Sequence, residues 1–264
     1  MTKRLSSLHG ALNGPPFYVL IPARYDSVRL PGKPLIDLAG KPMVIRVAEQ
    51  AALSGAKRVL VATDDERIRQ AVNAHGFEVC MTAAKHVSGT DRIAEVAMQQ
   101  GWPDDVIVVN VQGDEPLIAP SLIAEVAATL NGNRSAAMAT ACYPISANAD
   151  YLNPNVVKVV LDDHGYAMYF SRAPIPFNKN KTALADANNF CAYRHIGIYA
   201  YSVKFLKLFA NTPASALEQM EGLEQLRALQ RGHKIIVHLC NQAPLGGVDT
   251  WEDLNAVRAH LCSG

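Results

Sequence analysis

Three cations crowd one short stretch of this chain: Arg24, Arg29 and Lys33 all fall between Pro22 and Pro34, with no compensating run of acids nearby. Arginine's planar fork grips phosphate oxygens in pairs, and lysine adds a compact point charge, so the stretch reads as an anion-binding loop. Its prolines restrict the backbone, and less freedom is then lost when the loop closes on a ligand. A solvated basic loop explains the charges equally well on charge alone. Two familiar phosphate loops are excluded. No G-x-G-x-x-G follows, and Gly32-Lys33 and Gly40-Lys41 are each followed by Pro where a P-loop needs Ser or Thr.

Carboxylates recur at two later turns. In Gln112-Gly113-Asp114-Glu115-Pro116, Asp114 could hold Mg²⁺ against a triphosphate, since Mg²⁺ takes a few hard oxygens and fills its shell with phosphate and water. Gly113 would let the backbone approach the ligand closely. The same residues are also ordinary turn chemistry. Asp249, in Gly246-Gly247-Val248-Asp249-Thr250, enters a helix, where a carboxylate commonly acts as a cap or dipole partner. Paired with Asp114, it would complete a two-carboxylate metal site. Ser88-Gly89-Thr90-Asp91-Arg92 is a helix start with Thr90 or Asp91 as cap, or a set of donors for base and ribose. Arg194-His195-Ile196-Gly197-Ile198-Tyr199 and the pair Glu224-Gln225 carry no chemistry by composition alone; a lone His in an apolar strand is usually a core residue.

Positioning these side chains is the task of the elements between them. Phe17-Tyr18-Val19-Leu20-Ile21 is a continuous apolar run of the kind a doubly buried strand shows. A helix is expected after Gly40, with Val44, Val47, Ala48, Ala51 and Ala52 on one face and Gly55 at its end. The alternation predicts strand 58–63, helix 65–75, strand 77–81, helix 91–100, strand 106–111 and helix 121–130. Strand, helix, strand at this spacing means parallel strands with right-handed crossovers, hence a three-layer α/β/α fold. The loop at Pro22 and the turn at Asp114 then share the carboxyl edge of the sheet, where such folds bind ligands.

Beyond Ala136 the pattern changes. A hairpin is expected over 156–170, an irregular excursion over 172–189, a strand over 192–201, one helix over 217–231, a strand over 234–239, and a last helix over 250–262 opened by a Thr250/Asp253 capping box. The reading is a flexible tail over 1–16 and a single domain over 17–264, with a smaller lobe at about 140–215.

Composition excludes several classes. With 264 residues and a formal net charge of +1, the chain has no overall electrostatic case for nucleic acid or acidic membrane, and no apolar run reaches a membrane span. The five cysteines are scattered and odd in number, which suits reduced core thiols in a cytosolic protein.

Read in order, Ile-Pro-Ala-Arg-x-x-Ser-x-Arg-Leu-Pro-Gly-Lys-Pro, Ser-Gly-Thr-Asp-Arg, Asn-Val-Gln-Gly-Asp-Glu-Pro, Tyr-Phe-Ser-Arg, Arg-His-Ile-Gly-Ile-Tyr, Leu-Glu-Gln-Leu-Arg and Val-Asp-Thr resemble the 3-deoxy-manno-octulosonate (Kdo) cytidylyltransferases across nearly all of the chain from Phe17. The resemblance implies a nucleotide-sugar transferase-like fold with a mainly parallel mixed sheet. It implies transfer of CMP from CTP to the anomeric hydroxyl of Kdo for lipopolysaccharide biosynthesis, by a cytoplasmic, Mg²⁺-dependent homodimer. Carried over residue by residue, it implies catalytic roles for Lys33, Arg24, Asp114 and Asp249. Nucleotide contacts would come from Ala23, Arg24, Arg29, Lys33, Ser88, Gly89 and Arg92, and metal ligation from Asp114 and Asp249. The sugar acid would meet Gln112, His195, Tyr199, Glu224 and Gln225. The segment 178–189 departs from the family pattern. Rival readings are a cytidylyltransferase for another acid sugar and a nucleotide-binding regulator without turnover.

Overall fold

A computed structural model describes residues 16–26, 30–86, 88–179, 185–186, 190–241 and 243–263; of the tail expected over 1–16, residues 1–15 lie outside them, as does Arg29. β1 (Phe17–Ala23) decides the layering. Val19 and Ile21 point into one hydrophobic cluster and Leu20 into another, all three at 0 % exposure. Each such side chain contributes about 1.5–3 kcal/mol relative to leaving it in water. Both faces of the strand are therefore covered, as its unbroken apolar run requires.

The first half follows the expected alternation. After β1 come α1 (Met43–Ala52), β2 (Arg58–Thr63), α2 (Glu66–Ala74), β3 (Glu78–Met81), α3 (Gly89–Gln99), β4 (Ile107–Asn110) and α4 (Pro120–Asn131). Helices α1, α2 and α4 pack on the Val19 side, and α3 packs on the Leu20 side. Ala52, expected on the buried face of α1, is exposed; it lies one position past Ala51 and so turns off the apolar stripe. The cap of α3 is Ser88, whose side chain accepts from the Asp91 N–H, rather than Thr90 or Asp91.

The second half holds β5 (Met138–Pro144), α5 (Asn148–Leu152), β6 (Lys158–Leu161), β7 (Ala167–Ser171), β8 (Tyr193–Ser202), α6 (Val203–Ala210), α7 (Ala216–Glu221), α8 (Gln225–Gln230), β9 (Ile235–Leu239) and α9 (Trp251–Ser263). The nine-stranded sheet runs β9-β5-β8-β4-β1-β2-β3, with β6 paired to β8 and β7 to β6. Within the main row β8 is antiparallel to both neighbours, and the remaining pairs are parallel. The fold is thus α/β with a mostly parallel mixed sheet.

Two departures have clear causes. The helix expected over 217–231 is broken into α7 and α8, because Gly222 takes φ +64° and turns its N–H back to the Glu218 carbonyl. Strand β5 was not expected: Met-Ala-Thr-Ala-Cys has little of the β-branched or aromatic character that marks a strand. Around the lobe expected at about 140–215, β5 and β8 belong to the central sheet, while Ile145, Tyr151, Val156 and Ala192 form a small cluster of their own. The cysteines also divide. Cys80 and Cys142 are buried core thiols, whereas Cys262 is exposed on α9.

Candidate active site

The chain runs β1-β2-β3 to one side of β1 and then places β4 on the other side. Between β1 and β4 the order reverses, and the carboxyl edge of an open α/β sheet opens its ligand crevice at such a point. The ladder that pairs Leu20 with Asn110 brings the Pro22 loop and the Asp114 turn together.

That edge carries a cavity of about 270 Å³ lined by Pro22, Ala23, Arg24, Lys33, Gln112, Gly113, Asp114 and Asp249, among others. Gly32 adopts φ +67° and a Cβ there would press on the Tyr25 ring, so the loop needs glycine to fold back. Lys33 then opens a short 3₁₀ turn and reaches across the cavity. Its Nζ lies 2.6 Å from Asp114 Oδ2 and 3.2 Å from Asp249 Oδ1. Asp249 is not the helix cap. Thr250 and Asp253 form the capping box of α9, with Thr250 N–H donating to Asp253 Oδ2 at 2.8 Å and Asp253 N–H donating to Thr250 Oγ1 at 3.2 Å. The two carboxylate turns are tied together, since Val248 N–H donates to the Asp114 carbonyl at 2.8 Å.

Glu115, not singled out by the sequence, is enclosed behind them. Burial and the neighbouring charges of Asp114 and Asp249 push its carboxyl up to about 8. Its only signal was adjacency to Asp114. The Lys33 ammonium lies between Asp114 and Asp249, and the charges of these two carboxylates disfavour ionisation of Glu115 beside them. Asp114 and Asp249 offer the hard oxygens a Mg²⁺ would need beside phosphate and water, while among the described residues no group of three or more His, Cys, Asp or Glu side chains gathers into an all-protein metal cage.

Gly113 serves a different contact from the one expected. A Cβ at this position would sit 2.9 Å from the Pro22 carbonyl oxygen, so the close approach is to β1 rather than to a ligand. Arg24 lowers one guanidinium edge into the cavity wall. Its Nη2 is buried without a hydrogen-bond partner, and burial followed by the charge of Arg92 lowers its pKa. Arg92 itself does not line this cavity. It is fully buried, donating to Thr82 and lying 3.1 Å from Asp64 Oδ2. Ser88 caps α3 through its Oγ, which keeps a proton to donate, and Gly89 packs against the Pro22 ring.

A second cavity, of about 290 Å³, adjoins the first. Its lining includes Gln112, His195, Tyr199, Glu224 and Gln225, together with Thr90 and Asn110. Gln112 borders both cavities. Because β8 runs antiparallel, its early residues reach the edge where β1 and β4 end, and Tyr199 pairs with Asn110. Burial pushes the His195 imidazole down to about 3, so it is neutral, and its Nε2 lies 2.9 Å from Thr140 Oγ1. Burial also raises Tyr199 well above its ordinary range and raises Glu224, which accepts a 2.7 Å hydrogen bond from Thr90.

Two buried polar atoms here lack protein partners: Asn110 Oδ1 and Gln225 Nε2. Such groups cost free energy unless something pairs with them, so the cavity is built for a polar ligand. Asn110 was missed as a site residue, and Thr90 was read only as a helix cap or as one of a set of donors for base and ribose. Asn110 had one legible signal, a single amide closing an otherwise apolar strand.

Comparison with known proteins gives the family of the chain as a whole. The family model described as Cytidylyltransferase matches residues 18–235. A 3-deoxy-manno-octulosonate cytidylyltransferase of Nitrosococcus oceani is 51% identical over 249 residues, covering 93% of this chain and 96% of that protein. The solved structure of CMP:2-keto-3-deoxy-manno-octonic acid synthetase complexed with CTP superposes with a TM-score of 0.86 at 41% identity, covering 94% of this chain and 99% of that one.

Proposed function

The chain belongs to the 3-deoxy-manno-octulosonate cytidylyltransferase family, and from that premise we infer its reaction: it transfers CMP from CTP to the anomeric hydroxyl of Kdo, giving CMP-Kdo and pyrophosphate. The observation that carries this reading is the pair of adjoining cavities sharing Gln112, one lined by Arg24, Lys33, Asp114 and Asp249, the other by neutral and acidic polar groups.

The anomeric oxygen attacks the α-phosphorus in line. The bond from that phosphorus to the bridging oxygen of the β-phosphate breaks, pyrophosphate leaves, and the hydroxyl proton passes to solvent. In such transfers a protein mainly positions groups and neutralises charge. Arg24 and Lys33 take the triphosphate and its leaving pyrophosphate, with Arg29 assigned to the same loop by family position. Ala23, Ser88, Gly89 and Arg92 are assigned to the nucleotide by family position, Arg92 being fully buried with its charge felt by Arg24. Gln112, His195, Tyr199, Glu224 and Gln225 hold the sugar acid. Asp114 and Asp249 would hold Mg²⁺, which when bound polarises phosphate oxygens and lowers the pKa of a bound hydroxyl.

The chain is further proposed to work as a cytoplasmic homodimer in lipopolysaccharide biosynthesis. Among the described residues no helix is long and apolar enough to cross a membrane.

Pyrophosphate release with CTP and Mg²⁺ tests the assignment, with Kdo, an amino-Kdo and sialic acid compared as acceptors. Kdo is expected to give the highest kcat/KM; a preference for another acid sugar overturns the substrate. Asp114→Asn is expected to lower turnover at least a hundredfold while keeping the folded state, and wild-type turnover in Mg²⁺ would remove Asp114 from the metal site.

A further inference from the structure

We propose that Thr140 is a positioning residue that holds His195 as its Nε2–H tautomer, so that the ring offers the Nδ1 lone pair to a hydroxyl of the sugar acid. This rests on the assignment of the second cavity to the sugar.

The argument begins with an irregularity in the sheet. Against β5, strand β8 pairs Ile196 with Ala141 and then Tyr199 with Thr140, so Gly197 and Ile198 are extra residues in a bulge. Bulges re-aim side chains, and this one falls between His195 and Tyr199, two residues that line the cavity. Thr140 sits opposite it at 0 % exposure. Its Oγ1 has three polar neighbours: the Ile198 carbonyl at 2.7 Å, the Ile196 carbonyl at 3.2 Å and His195 Nε2 at 2.9 Å.

A threonine hydroxyl has one proton to give and two lone pairs. Carbonyl oxygens only accept. The proton therefore goes to a carbonyl, and the shorter distance selects Ile198. What then faces His195 Nε2 is an oxygen lone pair, which the ring meets by donating. The alternative tautomer would turn Thr140's proton to Nε2 and leave both carbonyls against hydroxyl lone pairs. With Nε2 as donor, Nδ1 of a neutral ring is an acceptor, and burial keeps the ring neutral.

The consequence is chemical selection. Nδ1 in this form accepts from a hydroxyl and repels a carboxylate oxygen. Asn110 Oδ1, a buried acceptor without a protein partner at the same cavity, has the same preference. This wall therefore reads the polyol part of the substrate, and the sugar's carboxylate must lie elsewhere. Thr140 touches no substrate; it acts through the imidazole and the bulge.

The test uses the full chain. Two-bond ¹⁵N–¹H correlation of the His195 ring reports which nitrogen carries the proton in the wild-type protein, before any variant is made. A protonated Nε2 is expected; a protonated Nδ1 overturns the proposal. Thr140→Val removes the hydroxyl at similar volume, and Thr140→Ser keeps it. The Val variant is expected to lose the single-tautomer signature and to raise KM for Kdo about tenfold, the size of one net hydrogen bond, with kcat and KM for CTP changed far less. The Ser variant is expected to restore both. A folded Val variant with unchanged tautomer and KM, or a Ser variant that fails like Val, overturns the role of Thr140. Absence of CMP transfer to Kdo in the wild type would instead remove the substrate assignment and leave the tautomer result standing.

Discussion

Lys33 is the residue on which charge balance turns. Its ammonium lies between Asp114 and Asp249, whose side chains are 38% and 57% exposed. Ion pairs with partners this wet contribute little to stability, on the order of 0–1 kcal/mol. The same ammonium facing a developing pyrophosphate has much more to stabilise, since the negative charge grows as the bond breaks. Lys33→Ala is therefore expected to leave the unfolding midpoint nearly unchanged. It should lower kcat/KM for CTP by at least ~2 kcal/mol, about thirtyfold. Steady-state kinetics beside a urea titration checks both halves. A rise confined to KM for Kdo would move Lys33 out of the triphosphate site.

Among the elements, the contact between β1 and the turn after β4 is a close one between backbones. A Cβ on Gly113 would approach the Pro22 carbonyl to 2.9 Å, and backbone cannot yield as a flexible side chain can. Gly113→Ala should force the Asp114 turn away from Lys33. It is expected to cost about 1–3 kcal/mol of stability, the usual range for overpacking, and to lower kcat by at least tenfold, since a misplacement near 1 Å disturbs reacting groups severely. Thermal unfolding and turnover measured on one preparation would show both losses; full activity would mean the turn tolerates the shift. The strands and helices of the first half were readable because doubly buried strands have unbroken apolar runs and their helices end at glycines. β5 was not, because alanine, methionine and cysteine carry no strand signature. The break between α7 and α8 was passed over because one glycine in a helical pattern can be tolerated or can end it. The cationic loop and both carboxylate turns were visible as charge and spacing. Glu115, Asn110 and Thr140 were not, nor was the contact that Thr90 makes, because these roles arise from non-local contact: Thr90 meets Glu224 across the fold, and Thr140 meets a bulge in another strand.

For the whole molecule, the cavity wall exacts a pH dependence. His195 belongs to β8, the strand on which the parallel row and the β6–β7 hairpin both depend. Its ring lies edge-on to Phe170, and its pKa falls from 6.5 in the unfolded reference to about 3. Between these values the unfolded chain binds the extra proton and the folded chain does not. Stability from this residue is therefore complete above pH 6.5 and declines as pH falls, by at most about 1.4 kcal/mol per unit. Glu224 and Glu115 oppose it, because their raised pKa values make the folded state bind protons more readily than the unfolded one. The absolute curve mixes these contributions, but the difference between wild type and His195→Gln isolates the imidazole. Urea midpoints at pH 7, 6 and 5 should fall more steeply in the wild type than in the variant, and the two proteins should converge as the medium is acidified. Parallel curves would mean that the ring stays hydrated in its cavity, and the hydroxyl-reading role argued for its neutral form would then have to accommodate a charged one.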